Sequence, residues 1–145
     1  MIKGGFAMAD AKKVKADQKD IVTAKYLEQQ MTAFQNEINR LRNMANETRR
    51  TISALEDLKQ FKGKQNSIVP LGAGVFLHST VDLTKPTLVD MGAGVVVEKE
   101  IDEAISILRE RLKNIDENVK VLTANLSKMS KQYNSILMKL YQQQA

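Results

Sequence analysis

The chain has 145 residues, with 22 Lys and Arg against 17 Asp and Glu, a formal net charge of +5, and no cysteine. That length fits one domain. The missing cysteines exclude a disulfide framework and thiol chemistry, and no apolar run approaches the roughly 18 residues that a membrane span needs.

The opening residues, Met1 to Met8, are too short and too mixed for a secretory signal. Met8 is a candidate for the original initiator, with residues 1–7 as a leader. Residues 1–13 carry no pattern and are expected to be a disordered leader. A first helix is expected over 14–62. From Ala24 a heptad begins, in which only Thr48 is polar: Ala24, Leu27, Met31, Phe34, Ile38, Leu41, Ala45, Thr48, Ile52, Leu55. The steps alternate three and four without a break, the seam of a coiled coil. Gly63 suits a left-handed residue after the helix, and Lys59, Lys62 and Lys64 suit the negative end of its dipole.

Over 67–98 the period changes from three and a half to two. An internal repeat dominates this stretch: Leu71-Gly72-Ala73-Gly74-Val75 returns as Met91-Gly92-Ala93-Gly94-Val95. Each copy reads as strand, turn, strand, with Gly72, Gly74, Gly92 and Gly94 supplying the positive φ that hairpin turns demand. The strands are expected at Ser67–Leu71, Val75–Val81, Thr87–Met91 and Val95–Glu98, with Pro86 in the loop between hairpins. Odd positions form the more apolar face, and Leu71, Val75, Leu77, Val89, Met91, Val95 and Val97 are its candidate interface residues. Four short strands cannot close a core alone, so this face is expected to meet another subunit.

A second helix is expected over 99–143. Acidic Glu98, Glu100, Asp102 and Glu103 lie where the positive helix end favours them. Its seam runs Ile101, Ile105, Leu108, Leu112, Ile115, Val119, Leu122, Leu126, Met129, Tyr133, Ile136, Leu140. The two seams reach equally far from the hairpins, about 60 Å each at 1.5 Å per residue. The fold class is therefore α+β and mostly helical: one domain, a long antiparallel coiled-coil hairpin joined by two β-hairpins, with both termini at the free end.

This organisation resembles the prefoldin family, and within it the alpha-subunit class. The resemblance rests on Val69-Pro70-Leu71-Gly72-Ala73-Gly74-Val75-Phe76 and on Val89-Asp90-Met91-Gly92-Ala93-Gly94-Val95-Val96-Val97-Glu98-Lys99, placed between two equal heptad arms. Two hairpins look like the alpha class, since the beta class has one. The resemblance implies an archaeal-type cytoplasmic hexamer of two alpha and four beta subunits, whose strands form β-barrels and whose coiled coils hang from them. It also implies capture of unfolded client proteins and transfer to a group II chaperonin, without ATP.

Other chemistry finds little support. Neither Gly-Ala-Gly is followed by Gly-Lys-Ser/Thr or opens a helix, so neither reads as a phosphate loop. His78 is the one histidine, without the companions a metal set needs. Asp82 and Asp90 do not form an acid/base pair. No enzyme activity, catalytic residue, metal or cofactor is expected. Large apolar residues off the seam are few along the middle of the arms, namely Met44 and Val121. Leu58, Phe61 and Ile107 are expected to pack under the sheet. Toward the free end the off-seam residues multiply: Ile21, Val22 and Tyr26 on one arm, Leu137, Met138 and Tyr141 on the other. These six are the candidate client-binding residues, because exposed apolar groups mark interaction sites. The same end is basic: residues 1–25 hold six Lys against three Asp, and residues 118–145 hold four Lys and no acid. Nucleic acid is the obvious alternative partner for such charge, but aromatic residues for stacking bases are few and no reader motif is present. Neither nucleic acid nor membrane is expected as a partner. The competing function is a structural coiled-coil scaffold or filament-forming subunit without client transfer.

Overall fold

The computed structural model describes residues 3–144, with side chains over 15–143. In chain order the elements are α1 (Lys3–Leu58), β1 (Lys64–Gly72), β2 (Val75–Asp82), β3 (Thr87–Gly92), β4 (Val95–Lys99) and α2 (Ile101–Gln144). The chain divides into two compact units, residues 1–42 with 116–145 and residues 43–115.

In the first unit, α1 and α2 run antiparallel, with Lys139 Nζ 4.0 Å from Asp20 Oδ2. The seam of α1 supplies the buried residues Ala24, Leu27, Ile38 and Leu41; Ile38, at 1 % exposure, is the most completely buried large side chain. The facing residues Leu122, Leu126, Met129, Tyr133, Ile136 and Leu140 are half-buried. A two-stranded seam leaves its flanks open to water, so each residue gains only part of the ~1.5–3 kcal/mol of full burial. Thr23 and Thr32 turn their hydroxyls back onto the helix, donating to the carbonyls of Lys19 and Glu28 at 2.9 and 3.0 Å.

In the second unit the buried residues are Ala45, Val89, Ala104 and Ile105. Glu56 accepts from Arg109 at 2.8 Å, and Lys59 pairs with both Glu56 and Asp102. The first α2 hydrogen bond runs from Ala104 N to Glu100 O at 2.9 Å, and Asp102 and Glu103 occupy the first turn. The hairpins are two separate two-stranded sheets, β1 with β2 and β3 with β4.

Four sequence expectations are corrected here. First, the helix continues back to Lys3 rather than starting at 14, so residues 3–13 of the expected disordered leader are helical; Ala7, Met8, Ala9, Ala11, Lys12 and Lys13 are all good helix formers. Residues 1 and 2 lie outside the described residues. Second, α1 ends at Leu58, not Lys62. Its last turn tightens through i→i+3 bonds, Lys59 N to Glu56 O, Gln60 N to Asp57 O and Phe61 N to Leu58 O, at 3.1–3.3 Å. Lys59, Lys62 and Lys64 thus lie beyond the helix. Gly63 does adopt φ 73°, but as the residue that leads into β1 rather than as the helix cap. Third, β1 begins at Lys64, three residues before the expected Ser67, and β2, β3 and β4 each run one residue further than expected. Fourth, Phe61 is exposed, whereas Leu58 and Ile107 are half-buried.

Candidate functional site

The hairpin turns set which groups of the strands face outward. In hairpin 1 Gly72 pairs with Val75, leaving Ala73 and Gly74 as the two-residue loop. Their φ values are 50° and 79°; Ala93 and Gly94 repeat them at 52° and 76°. Positive φ at both loop residues is the type I′ turn, whose twist matches that of the strands. Glycine adopts it freely, while Ala73 and Ala93 hold a conformation that a Cβ disfavours. The register shifts between Pro70 and Gly72, and again between Asp90 and Gly92. Leu71 and Met91 are therefore bulge residues, not members of a continuous odd face.

The hydrogen-bonding parity of hairpin 1 can be counted. Leu83 N donates to Gly63 O at 2.9 Å, just outside the Lys64–Asp82 pair. Bonded and non-bonded pairs alternate in an antiparallel ladder. Gln65, Ser67 and Val69 therefore bond inward, and Lys64, Asn66, Ile68 and Pro70 present their backbone groups to the outer edge. Pro70, which has no N–H, falls where none is needed within the hairpin. On β2 the outward-facing residues are Phe76, His78 and Thr80. In hairpin 2 the Asp90 carbonyl faces outward too, and Arg111 Nη2 donates to it at 2.6 Å while lying 3.7 Å from Met91 Sδ. Asp90 Oδ1 accepts from Gly92 N at 2.8 Å, an Asx turn that holds the bulge.

Of the seven candidate interface residues, Leu71, Val75, Leu77, Met91 and Val95 are exposed in the single chain, Val97 is half-buried, and Val89 is buried at 9 %. The even face carries exposed apolar residues as well: Ile68, Phe76, Leu88 and Val96. Ile68 was missed by sequence reading. It lies directly opposite His78, and the apolar run Ile68-Val69-Pro70-Leu71 was its available signal. Both faces of hairpin 1 therefore expose apolar side chains in the single chain. An isolated two-stranded hairpin is marginal in water.

All six candidate client-binding residues belong to the first unit, and all are exposed, up to 81 % at Tyr141. Ile21, Val22 and Tyr26 lie on α1; Leu137, Met138 and Tyr141 lie on α2. Lys128, Lys131 and Lys139 on α2 are exposed too. Titration effects are local. Thr84, donating through its hydroxyl at 2.5 Å and its N–H at 3.0 Å, holds the Asp82 carboxyl below its ordinary value. Arg40 does the same for Glu37, and Asp102 raises Lys59. Among the described residues no group of three or more His, Cys, Asp or Glu is placed to hold a metal, and no helix is long and apolar enough to cross a membrane.

Two long helices joined through two glycine-turned β-hairpins define the prefoldin-type architecture. A family model described as "Prefoldin subunit" matches residues 27–145. The "Prefoldin subunit alpha" of Archaeoglobus fulgidus is 35 % identical over 123 residues, covering 85 % of this chain and 90 % of that protein. That of Pyrococcus horikoshii is 37 % identical over 101 residues, covering 68 % of each. Among solved structures, a filamentous PFD from Methanocaldococcus jannaschii determined by cryo-EM is similar with a TM-score of 0.69 at 19 % identity, over 81 % of this chain and 97 % of that one. The chain belongs to the prefoldin family, in its archaeal alpha-subunit class, and at the level of the family it is a chaperone subunit.

Proposed function

We propose that this chain is the alpha subunit of an ATP-independent holdase. Two copies combine with four beta-type subunits through the hairpins, and the assembly works in the cytoplasm. It captures unfolded polypeptides on the outer part of the arms and passes them to a group II chaperonin. The observation that carries this reading is that each unit exposes its own apolar residues: in one the hairpin residues, suited to assembly, in the other Ile21, Val22, Tyr26, Leu137, Met138 and Tyr141. An unfolded chain exposes scattered apolar groups on a flexible backbone. Holding it requires several weak, adaptable contacts, which Met and Tyr supply. Each is worth about 1–2 kcal/mol by buried area, so release needs no nucleotide, and several subunits together add avidity.

The second reading, a filament or scaffold without client transfer, is favoured by the filamentous assembly of the similar solved structure. Diluting a chemically unfolded protein into the assembled complex without ATP separates the two. A holdase suppresses aggregation at stoichiometric amounts; a scaffold leaves light scattering unchanged.

A further inference from the structure

The two hairpins are not attached to their helices in the same way. Between β4 and α2 stands one residue, Glu100, whose carbonyl accepts from Ala104 N in the first turn of the helix. Thr87 closes the mouth of hairpin 2, its hydroxyl donating to Lys99 O at 2.6 Å. A second tie lies at the turn end. β4 is five residues long, about 17 Å. Arg111 lies ten residues into α2, about 15 Å from its start. Hairpin 2 thus runs back beside α2 until its bulge is level with Arg111, where Nη2 reaches the Asp90 carbonyl and Met91 Sδ. The Asp90 carboxylate is taken by Gly92 N, so the guanidinium holds the backbone of the bulge itself. Val89 is buried, and Val97 opposite it is half-buried. Hairpin 1 has neither tie. Residues 59–63 separate α1 from β1, and Gly63 has φ 73° with nothing within 4 Å of where a Cβ would stand. The bond that closes its root, Leu83 N to Gly63 O, joins two connecting segments rather than a helix. No residue of β1 or β2 is buried, and among the described residues no helix side chain is hydrogen-bonded to either strand. Pro70 stands where the repeat puts Asp90 in hairpin 2, and has no carboxylate to build the same bulge.

We propose that Arg111 is a latch that makes hairpin 2 one rigid body with the first turns of α2, whereas hairpin 1 is a flap that swings about Gly63 and residues 83–86. Fixing a two-stranded hairpin on a helix takes restraint at both of its ends. Hairpin 2 has it at the root through Glu100 and at the bulge through Arg111, whose bond to the carbonyl is charge-assisted and directional. Hairpin 1 is restrained at its root alone. Hinges are a few loop residues that absorb the change in φ and ψ, and Gly63 is the residue freest to do so. Two copies of one sequence repeat thus carry different mechanical roles: hairpin 2 fixes how α2 leaves the strands, and hairpin 1 reorients. This division belongs to the single chain and is independent of where clients bind.

The chain has no cysteine, so introduced pairs of cysteines carry spin labels at chosen sites. Lys113→Cys, exposed on α2, is the common reference; Leu88→Cys reports on hairpin 2 and Ile68→Cys on hairpin 1, both exposed. Doubly labelled full-length chain is diluted into excess unlabelled chain, so that pulsed electron resonance reads distances within one chain. The expected result is a narrow distance distribution for the 88/113 pair and a broad one for the 68/113 pair. Arg111→Met keeps an unbranched side chain and removes the donors. It is expected to broaden the 88/113 distribution to the width of the 68/113 one, which itself stays unchanged, with helicity retained in circular dichroism. Arg111→Gln, polar at this half-buried site, is the second variant and is expected to give the same broadening. A broad 88/113 distribution in the native sequence overturns the rigid hairpin 2. A narrow 68/113 distribution overturns the hinge. An 88/113 distribution that stays narrow in either folded Arg111 variant overturns the latch.

Discussion

Ala73 and Ala93 place a non-glycine residue at positive φ in both turns, and that conformation costs about 1–2 kcal/mol for a residue with a Cβ. Asn is the residue that type I′ turns favour beside Gly, because its short polar side chain tolerates the left-handed region. Ala73→Asn is therefore expected to recover part of the cost, about 0.5–1 kcal/mol. Ala93→Asn should add a similar amount, since the turns belong to separate sheets with no shared strand. Ala73→Gly removes the same strain but enlarges the entropy of the unfolded chain by about 0.4–1 kcal/mol, so it should be close to neutral. Gly74→Ala is the reverse test. A Cβ there would meet nothing within 4 Å, so its cost of about 1–2 kcal/mol is purely conformational. Hydrogen exchange of the hairpin amides reads local opening directly. A73N should slow it by roughly two- to fivefold, G74A should accelerate it, and α1 and α2 amides should be unaffected. Faster exchange in A73N, or an unaffected G74A, would refute the turn geometry.

Ile38→Ala removes the most completely buried large side chain and should cost about 2–5 kcal/mol, opening the first unit to proteolysis while hairpin-mediated assembly persists; loss of both together would contradict their division into separate compact units. Val75→Asp with Val95→Asp buries unpaired charge in the assembly surface, costing several kcal/mol, and should abolish the oligomer in sedimentation. Asp82 has its carboxyl held below the ordinary value by Thr84. The stability it contributes is present above the unfolded carboxylate pKa and is lost as pH falls through the folded one. Acidification should thus loosen the 82–84 turn, and Thr84→Val should move the Asp82 carboxyl back up in an NMR titration.

The heptads were legible because a repeat sustained over four turns of the pattern outweighs any single residue. The turns were legible because Gly-Ala-Gly occurs twice at matching places. The helix end was not. Leu55 is the last seam residue of α1, and the stop at Leu58 is set by where β1 must begin to let Gly63 meet Leu83. The bulges at Leu71 and Met91 were hidden for a related reason: alternation in sequence counts residues, while the ladder skips one at each bulge. The Arg111–Asp90 contact joins residues 21 apart across two elements, and no local pattern announces it. The six exposed apolar residues of the first unit stood out in the sequence because each lies off an otherwise regular seam.

The proposed function requires that clients are held around Ile21, Val22, Tyr26, Leu137, Met138 and Tyr141. Deleting residues 1–22 together with 137–145 removes Ile21, Val22, Leu137, Met138 and Tyr141 and leaves the hairpins and the buried Ile38 and Leu41 in place. The measurement is light scattering of a denatured client diluted into stoichiometric truncated complex, at low and high salt, with oligomer mass recorded on the same sample. The expected result is an intact oligomer that no longer suppresses aggregation, while Lys128, Lys131 and Lys139 changed to Ser in the full-length chain should lose only the salt-sensitive part of protection. Full protection by the truncated complex would contradict it and move client binding to the hairpins or to the inner faces of the helices.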